Sequence, residues 1–286
     1  MSITRFNFSH TTRNICIAAV TALAFSACSP SAASPLDAPS PATDSAAKPT
    51  IVLVHGAWAD ASSFKPVTVE LQKDGYQVLN APNPLRGLAS DSANVAAFVN
   101  QNTTGPVVLV GHSYGGSVIS NAALSTPTVT SLVYIDAFAP DTGESALQLT
   151  AAKPGSDLAV PDPSTVLNFV TYPGAPEGDV DAYVKPAVFL KAFGLHLPEA
   201  DADALAASQT PIALSALAEP SGAPAWKSLK SFFYIGTEDA VIPAAEQTYM
   251  ANRAHGVIAT GSADHLSMLE KPTPITHLIE QAATTK

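Results

Sequence analysis

The chain has 286 residues, 47% hydrophobic and only 13% charged, so it can bury the core of one large α/β domain and does not read as disordered. Its 14 basic against 24 acidic residues give a net charge of −10, with no basic run, which excludes the electrostatic footprint of a nucleic-acid binder.

The N-terminus reads as a processing segment. Arg5 and Arg13 supply a basic flank, and Ile15 to Phe25 form an apolar run too short to anchor stably across a bilayer. Ser26 and Ala27 then offer small residues ahead of Cys28. Two readings stand. Leu23-Ala24-Phe25-Ser26-Ala27-Cys28 resembles a bacterial lipoprotein signal, in which residues 1–27 are removed and Cys28 is lipidated, although Phe25 replaces the usual aliphatic residue. The alternative is an ordinary secretory signal cleaved nearby. The only other cysteine, Cys16, lies in the apolar run and would be removed with it, which leaves Cys28 without an intramolecular partner. Both readings predict an exported protein: in the periplasm or at the outer membrane as a lipoprotein, with the membrane reached only through the lipid, or secreted. Residues 28–48, rich in Ser, Ala and Pro and without periodicity, read as a disordered tether.

The folded body is expected over 49–286. Thr50 to Val54 is a short apolar strand that ends in His55-Gly56-Ala57-Trp58. Ser62 to Asp74 reads as a helix with Pro66 in its first turn and Gly75 beyond its end. Tyr76 to Asn80 is a second strand, and Ser90 to Asn100 a helix with Asp91 near its positive end. A run of β-branched and apolar residues, Val107 to Val110, then stops at Gly111, and a helix runs from about Gly115 to Leu124. Thr130 to Ile135 is a strand closing on Asp136.

From about 139 to 225 this alternation is lost, and the abundance of Pro and Ala with scattered aromatics predicts a helical cap inserted over the strand ends. The pattern resumes with a strand at Ser231 to Ile235, a helix at Ala244 to Ala254, a strand at Val257 to Thr260 and a terminal helix from near Pro274. Such alternation predicts a mostly parallel, doubly wound sheet with helices on both faces. Right-handed crossovers place the C-terminal strand ends on one edge, where open α/β sheets carry their sites.

Ser113 lies on that edge inside Gly111-His112-Ser113-Tyr114-Gly115, a Gly-x-Ser-x-Gly pattern between a strand and a helix. A turn this sharp strains the serine backbone, lifts its hydroxyl clear of the sheet and aims backbone N–H groups at whatever the hydroxyl attacks. The plainer alternative is a tight turn whose serine only caps the helix. A nucleophilic serine needs a base, and the base needs a group that fixes its tautomer. Of seven histidines, His10 falls in the signal, His55 orients a glycine turn, and His112 points away from the hydroxyl. His196 lies in the insertion, His255 at a helix end and His277 in the terminal helix. His265 follows the last strand on a loop, last in the order Ser…Asp…His, and is the candidate base.

Two acids compete to orient it. Asp239 follows the preceding strand in the turn Gly236-Thr237-Glu238-Asp239 and is favoured by chain order; Asp136 is the alternative. Glu238 is the neighbour most easily confused with the acid, and Asp264 reads as a loop-stabilising residue. The backbone N–H groups of Ala57 and Tyr114 are the candidate oxyanion donors. No paired His or Cys stands at ligand spacing, so no metal set is indicated, and no Gly-x-Gly-x-x-Gly follows the first strand to suggest a dinucleotide. No cofactor is expected.

With Val-Leu-Val-His-Gly-Ala-Trp at 52–58, Gly-His-Ser-Tyr-Gly-Gly at 111–116, Asp239 and Asp264-His265-Leu266-Ser267-Met268, the body resembles the α/β-hydrolase superfamily. The likeness is strongest to its small-ester branch of plant methylesterases, hydroxynitrile lyases and bacterial esterases. The resemblance implies a Ser–His–Asp triad acting on a small-molecule ester, with the 139–225 insertion shaping an acyl- or alcohol-side pocket. Hydroxynitrile lyases of this branch carry Thr after the first histidine and Lys after the last. Gly56 and Leu266 stand there in this chain, which disfavours a lyase. The expected activity is carboxylic-ester hydrolysis of small to medium, mostly neutral substrates. A lyase or C–C hydrolase, or a non-catalytic ligand-binding homologue, are the other readings.

Overall fold

The computed structural model describes residues 48–285, so the signal and most of the tether lie outside the described residues. The first half of the body alternates strand and helix: β1 (Thr50–Val54), α1 (Lys65–Lys73), β2 (Val78–Asn80), α2 (Leu88–Asn102), β3 (Val107–His112), α3 (Tyr114–Ala122) and β4 (Val129–Ile135). The expected boundaries shift by a few residues. Pro66 sits in the first turn of α1, where its missing N–H costs nothing, and a 3-10 turn capped by Asp60 precedes that helix.

The insertion is not purely helical, which corrects the expected cap. It contains α4 (Ala146–Thr150), β5 (Leu167–Val170), β6 (Asp181–Val184), α5 (Pro186–Ala192), α6 (Glu199–Ala207), β7 (Ile212–Ala213) and α7 (Leu214–Ala218). The three short strands form an antiparallel sheet in the order β5-β6-β7. In β5 only Leu167 is buried, while in β6 Ala182 and Val184 are buried on either side of the half-buried Tyr183, and the Gly174 and Gly178 turns lie between the two strands. Short strands without a polar–apolar alternation, set among Pro and Ala, leave no strand signal in the sequence. The chain then completes the main body with β8 (Lys230–Gly236), α8 (Ala244–Arg253), β9 (Val257–Gly261), α9 (Ser267–Glu270) and α10 (Pro272–Thr284).

Six strands form one wholly parallel sheet in the order β2-β1-β3-β4-β8-β9. β1 and β3, central and flanked by helices, are buried along their whole length, which is why they read as unbroken apolar runs rather than alternating ones. The edge strand β9 exposes Val257 and Ile258. From β1 the chain winds first to β2 and then crosses back to β3 on the other side. That reversal opens a crevice at the carboxyl ends of β1 and β3. Ala57 follows the first of these strands and Ser113 the second.

Candidate active site

Ser113 sits between β3 and α3 with φ 54° and ψ −124°, a left-handed conformation that a residue with a Cβ adopts only under strain. The glycine two residues on relieves the crowding: a Cβ on Gly115 would collide with the backbone carbonyl of Val54 in β1. The Ser113 hydroxyl makes no capping hydrogen bond to α3, so the helix-cap alternative fails. It lies instead 2.9 Å from Nε2 of His265.

His265 occupies the loop between β9 and α9, fully buried, and its Nδ1 lies 2.9 Å from Oδ2 of Asp239. A carboxylate only accepts, so Nδ1 carries the proton and Nε2 is free to take one from the serine. Burial pushes the His265 imidazole down to about 3, which keeps the resting ring neutral. Asp239 is buried with it, and burial pushes its carboxyl upward against the pull of three N–H donors that hold it in the charged form. Oδ1 accepts from the backbone of Val241 (2.8 Å) and Ile242 (2.9 Å), and Oδ2 from Nε2 of Gln247 (2.7 Å). These donors favour the charged form and fix the carboxylate toward His265. Nothing in the sequence marks Gln247. It stands eight residues beyond Asp239, on the first turn of α8, and only the fold turns it back.

The two acids occupy different places. Asp136, at φ 44° and fully buried, accepts the backbone N–H of Gly236 (2.7 Å) on Oδ1 and that of Ser267 (3.1 Å) on Oδ2. It therefore ties the end of β4 to the start of the Asp239 turn and to the residue two beyond His265, and its bonds leave His265 to Asp239. Asp264 stabilises its loop by accepting the Leu266 N–H at 2.9 Å. Glu238 turns outward and accepts from the hydroxyl of Ser262.

His112 points away from the pocket, and its Nε2–H donates to the backbone carbonyl of His265 at 2.9 Å. His55 donates through Nδ1 to the carbonyl of Gly56, also at 2.9 Å, and Asn83 donates to the carbonyl of His55 at 2.8 Å. These bonds fix the loop that presents Ala57. The backbone N–H groups of Ala57 and Tyr114 have no acceptor among the described residues, and both residues border the cavity above Ser113. Two unpaired N–H groups beside a strained serine offer donors to a negative oxygen formed there.

That cavity holds about 560 Å³ and is walled mostly by apolar side chains: Trp58 and Phe138 from the body, Leu158, Leu167, Phe169 and Leu217 from the insertion. Asp162 and Ser164 stand at its polar margin. Phe193 closes the base from above, its ring edge-on to His265 at 5.0 Å between centroids. The arrangement can take a proton from a serine, stabilise an oxyanion and enclose an apolar group. Among the described residues, the fold gathers His196, Asp264 and Glu270 outside this cavity.

Residues 51–276 match the family model described as "Alpha/beta hydrolase family". A carbendazim hydrolyzing esterase of Nocardioides sp. (strain SG-4G) is 36% identical over 110 residues, which is 34% of this chain and 46% of that protein, so the chain matches about half the length of that relative. The crystal structure of polyneuridine aldehyde esterase superposes with a TM-score of 0.70 at 20% identity, covering 82% of this chain and 99% of that one. A pyrethroid hydrolase from Sphingobium faniae JZ-2 superposes with a TM-score of 0.64 at 19% identity, covering 82% and 97%. At these identities the two structures are alike in fold.

Proposed function

The chain belongs to the alpha/beta hydrolase family, and on that premise we propose that it is a serine hydrolase of carboxylic esters working through an acyl-enzyme. The observation that carries the reading is the unbroken Ser113–His265–Asp239 relay, with 2.9 Å at each link. In this reading His265 Nε2 takes the Ser113 proton as Oγ attacks the ester carbonyl. The N–H groups of Ala57 and Tyr114 receive the negative oxygen, and Asp239 stabilises the imidazolium. His265 then returns the proton to the leaving alcohol. A water activated by the same ring releases the acid and frees Ser113. The esterase and hydrolase names of the relatives support the ester bond as the target. The apolar cavity supports small to medium, mostly neutral substrates.

The test is direct. A fluorophosphonate should label Ser113, and Ser113→Ala should abolish both labelling and turnover of short-chain aryl esters. Turnover close to wild type in that variant would overturn the mechanism. Stoichiometric ligand retention without turnover in the wild type would favour a binding homologue instead.

Export as a lipoprotein is a separate proposal that rests on residues 1–28 alone. It predicts a diacylglyceryl-modified Cys28 in the mature protein, placing the enzyme in the periplasm or at the outer membrane. Mass spectrometry of the mature N-terminus tests it, and an unmodified terminus beyond Cys28 would show ordinary secretion.

A further inference from the structure

Outside the cavity, four side chains from three separate stretches of the sequence meet on the insertion's border with the triad loops. His196 comes from the segment between α5 and α6. Glu238 directly precedes Asp239, Asp264 directly precedes His265, and Glu270 ends α9. One nitrogen or oxygen each from His196, Asp264 and Glu270 lie within 4.8 Å of one another.

The bonding within this group is uneven. His196 Nδ1 is 3.1 Å from Glu270 Oε2, and its Nε2 is 3.0 Å from Glu238 Oε2. Glu270 Oε1 accepts the Asp264 N–H at 3.1 Å. Asp264, only 1% exposed, uses Oδ1 to accept the Leu266 N–H, while Oδ2 is buried with no donor to satisfy it. Its carboxyl lies against that of Glu270, whose side chain is 5% exposed. Two carboxylates brought together away from water repel each other, and the pair is relieved by a proton held between them, by the His196 ring against Glu270, or by a cation bound to both. Lys271 borders the same cleft but makes no ion pair with either of them among the described residues. An open cleft of about 380 Å³ leads from His196 and Glu270 to solvent.

We propose that His196 Nδ1, Asp264 and Glu270 bind one divalent cation of the borderline class that takes mixed imidazole and carboxylate ligands, such as Zn²⁺. The chemistry fits on three counts. A Zn²⁺ ion accepts neutral imidazole nitrogen and carboxylate oxygen at bonds of about 2.0–2.2 Å, which puts ligand atoms nearer together than 4.8 Å but within reach of side-chain rotation. Its two positive charges balance the two buried carboxylates. Glu238 on the far nitrogen of His196 is the outer carboxylate that orients a metal-bound histidine and raises its basicity. Three protein ligands leave a coordination position open to water from the cleft.

The ion would join a loop of the insertion to the His265 loop and α9, with the Asp239 loop reached only through Glu238 on His196, so it belongs to the hold of the cover on the body and not to the ester chemistry. The proposal stands apart from the esterase reading.

Chelator-stripped full-length protein titrated with Zn²⁺ alone, followed by calorimetry and by thermal unfolding, tests it. We expect an equivalent that raises the unfolding temperature and is weakened at least tenfold in both His196→Ala and Glu270→Gln. Glu238→Gln should weaken it about 10- to 100-fold. His277→Ala, on the terminal helix, should leave it unchanged. His196 is exposed, so its replacement leaves the core intact. Absence of saturable binding, or equal affinity in wild type, His196→Ala and Glu270→Gln, would overturn the site.

Discussion

His112 holds the base from behind: its Nε2–H donates to the backbone carbonyl of His265 at 2.9 Å, and the two rings lie 4.9 Å apart. The residue next to the nucleophile in sequence therefore sets the depth of the histidine loop. Burial keeps His112 well below its ordinary range, so the ring stays neutral as a fixed donor. His112→Ala removes that donor and leaves a buried carbonyl unpaired, at a cost of about 1–3 kcal/mol in stability. A base misplaced by an ångström costs on the order of 100-fold in rate. The expected result is a fall in kcat with KM little changed, measured on a short-chain aryl ester. An unchanged kcat in a folded His112→Ala would reduce the bond to packing.

Asp239 and Asp136 should separate cleanly by substitution. Asp239→Asn leaves the site's shape but presents an amide to His265 Nδ1, which favours the wrong tautomer. A loss of about 10⁴-fold in kcat is expected by analogy with the same change in a serine protease triad. Asp136→Asn instead weakens one of two backbone bonds, to Gly236 or to Ser267. It should cost about 1–3 kcal/mol of stability and far less in rate. If Asp136→Asn lost activity as steeply as Asp239→Asn while unfolding at the wild-type temperature, the clamp assignment would fail.

The contrast between these two acids shows what the sequence could carry. Ser113, Asp239 and His265 were legible because each follows a strand that reads clearly, and parallel strands put their ends on one edge. Asp136 looked equivalent by that logic. What separates it is the direction of its side chain, bent by φ 44° toward Gly236 and Ser267, and no spacing rule encodes that. The insertion was legible as a break in alternation but not as a sheet, since β7 is two residues long and β5 four. The His196 cluster was invisible, because Glu238, Asp264 and Glu270 meet that histidine only after the insertion folds back on the body.

Gly56 is constrained by space beside the nucleophile. A Cβ there would come within 2.5 Å of Ser113 Cβ and 2.8 Å of the His112 carbonyl oxygen. Neither can retreat without moving the strained turn. Gly56→Ala should therefore push the Ala57 N–H away from the oxyanion position. Loss of one such donor costs about 100- to 1,000-fold in kcat. Esterase kinetics beside a circular-dichroism check of folding would measure this, and near-normal turnover would remove Ala57 from the proposed oxyanion pair.

The insertion should set substrate size. Leu217 on α7 lines the cavity wall together with Phe169 and Leu167. Leu217→Trp fills part of the roughly 560 Å³ space without touching the relay. Each methylene gained or lost in an apolar pocket is worth about 1–3 kcal/mol of transition-state binding. Acetate esters should thus be cleaved near the wild-type rate, while kcat/KM for longer or aromatic acyl groups falls more than about tenfold. A uniform loss across the series would mean that the substitution disturbs the site and not the fit.

Where the chain leaves β4 for the insertion, Arg253 of α8 grips Glu144 with both terminal nitrogens, at 2.7 Å and 2.6 Å, and also donates to the carbonyl of Ala139 at 2.9 Å. The Arg253 hydrogen bonds hold the Glu144 carboxyl below its ordinary value against the opposing effect of burial. A carboxyl lowered in the folded state binds its proton less readily there than in the unfolded chain. Its contribution to stability is therefore complete above the unfolded value near 4.5 and disappears as pH falls through the folded value below it. Glu144→Gln exchanges a bidentate charged pair for at most one neutral bond, so at pH 7 the variant should be less stable by about 1–2 kcal/mol. The gap in unfolding temperature between wild type and variant should stay constant from pH 8 to about pH 5.5 and narrow below about pH 4.5. A gap that persists undiminished at pH 3 would mean that Glu144 acts by packing, and that charge does not fasten the insertion to α8.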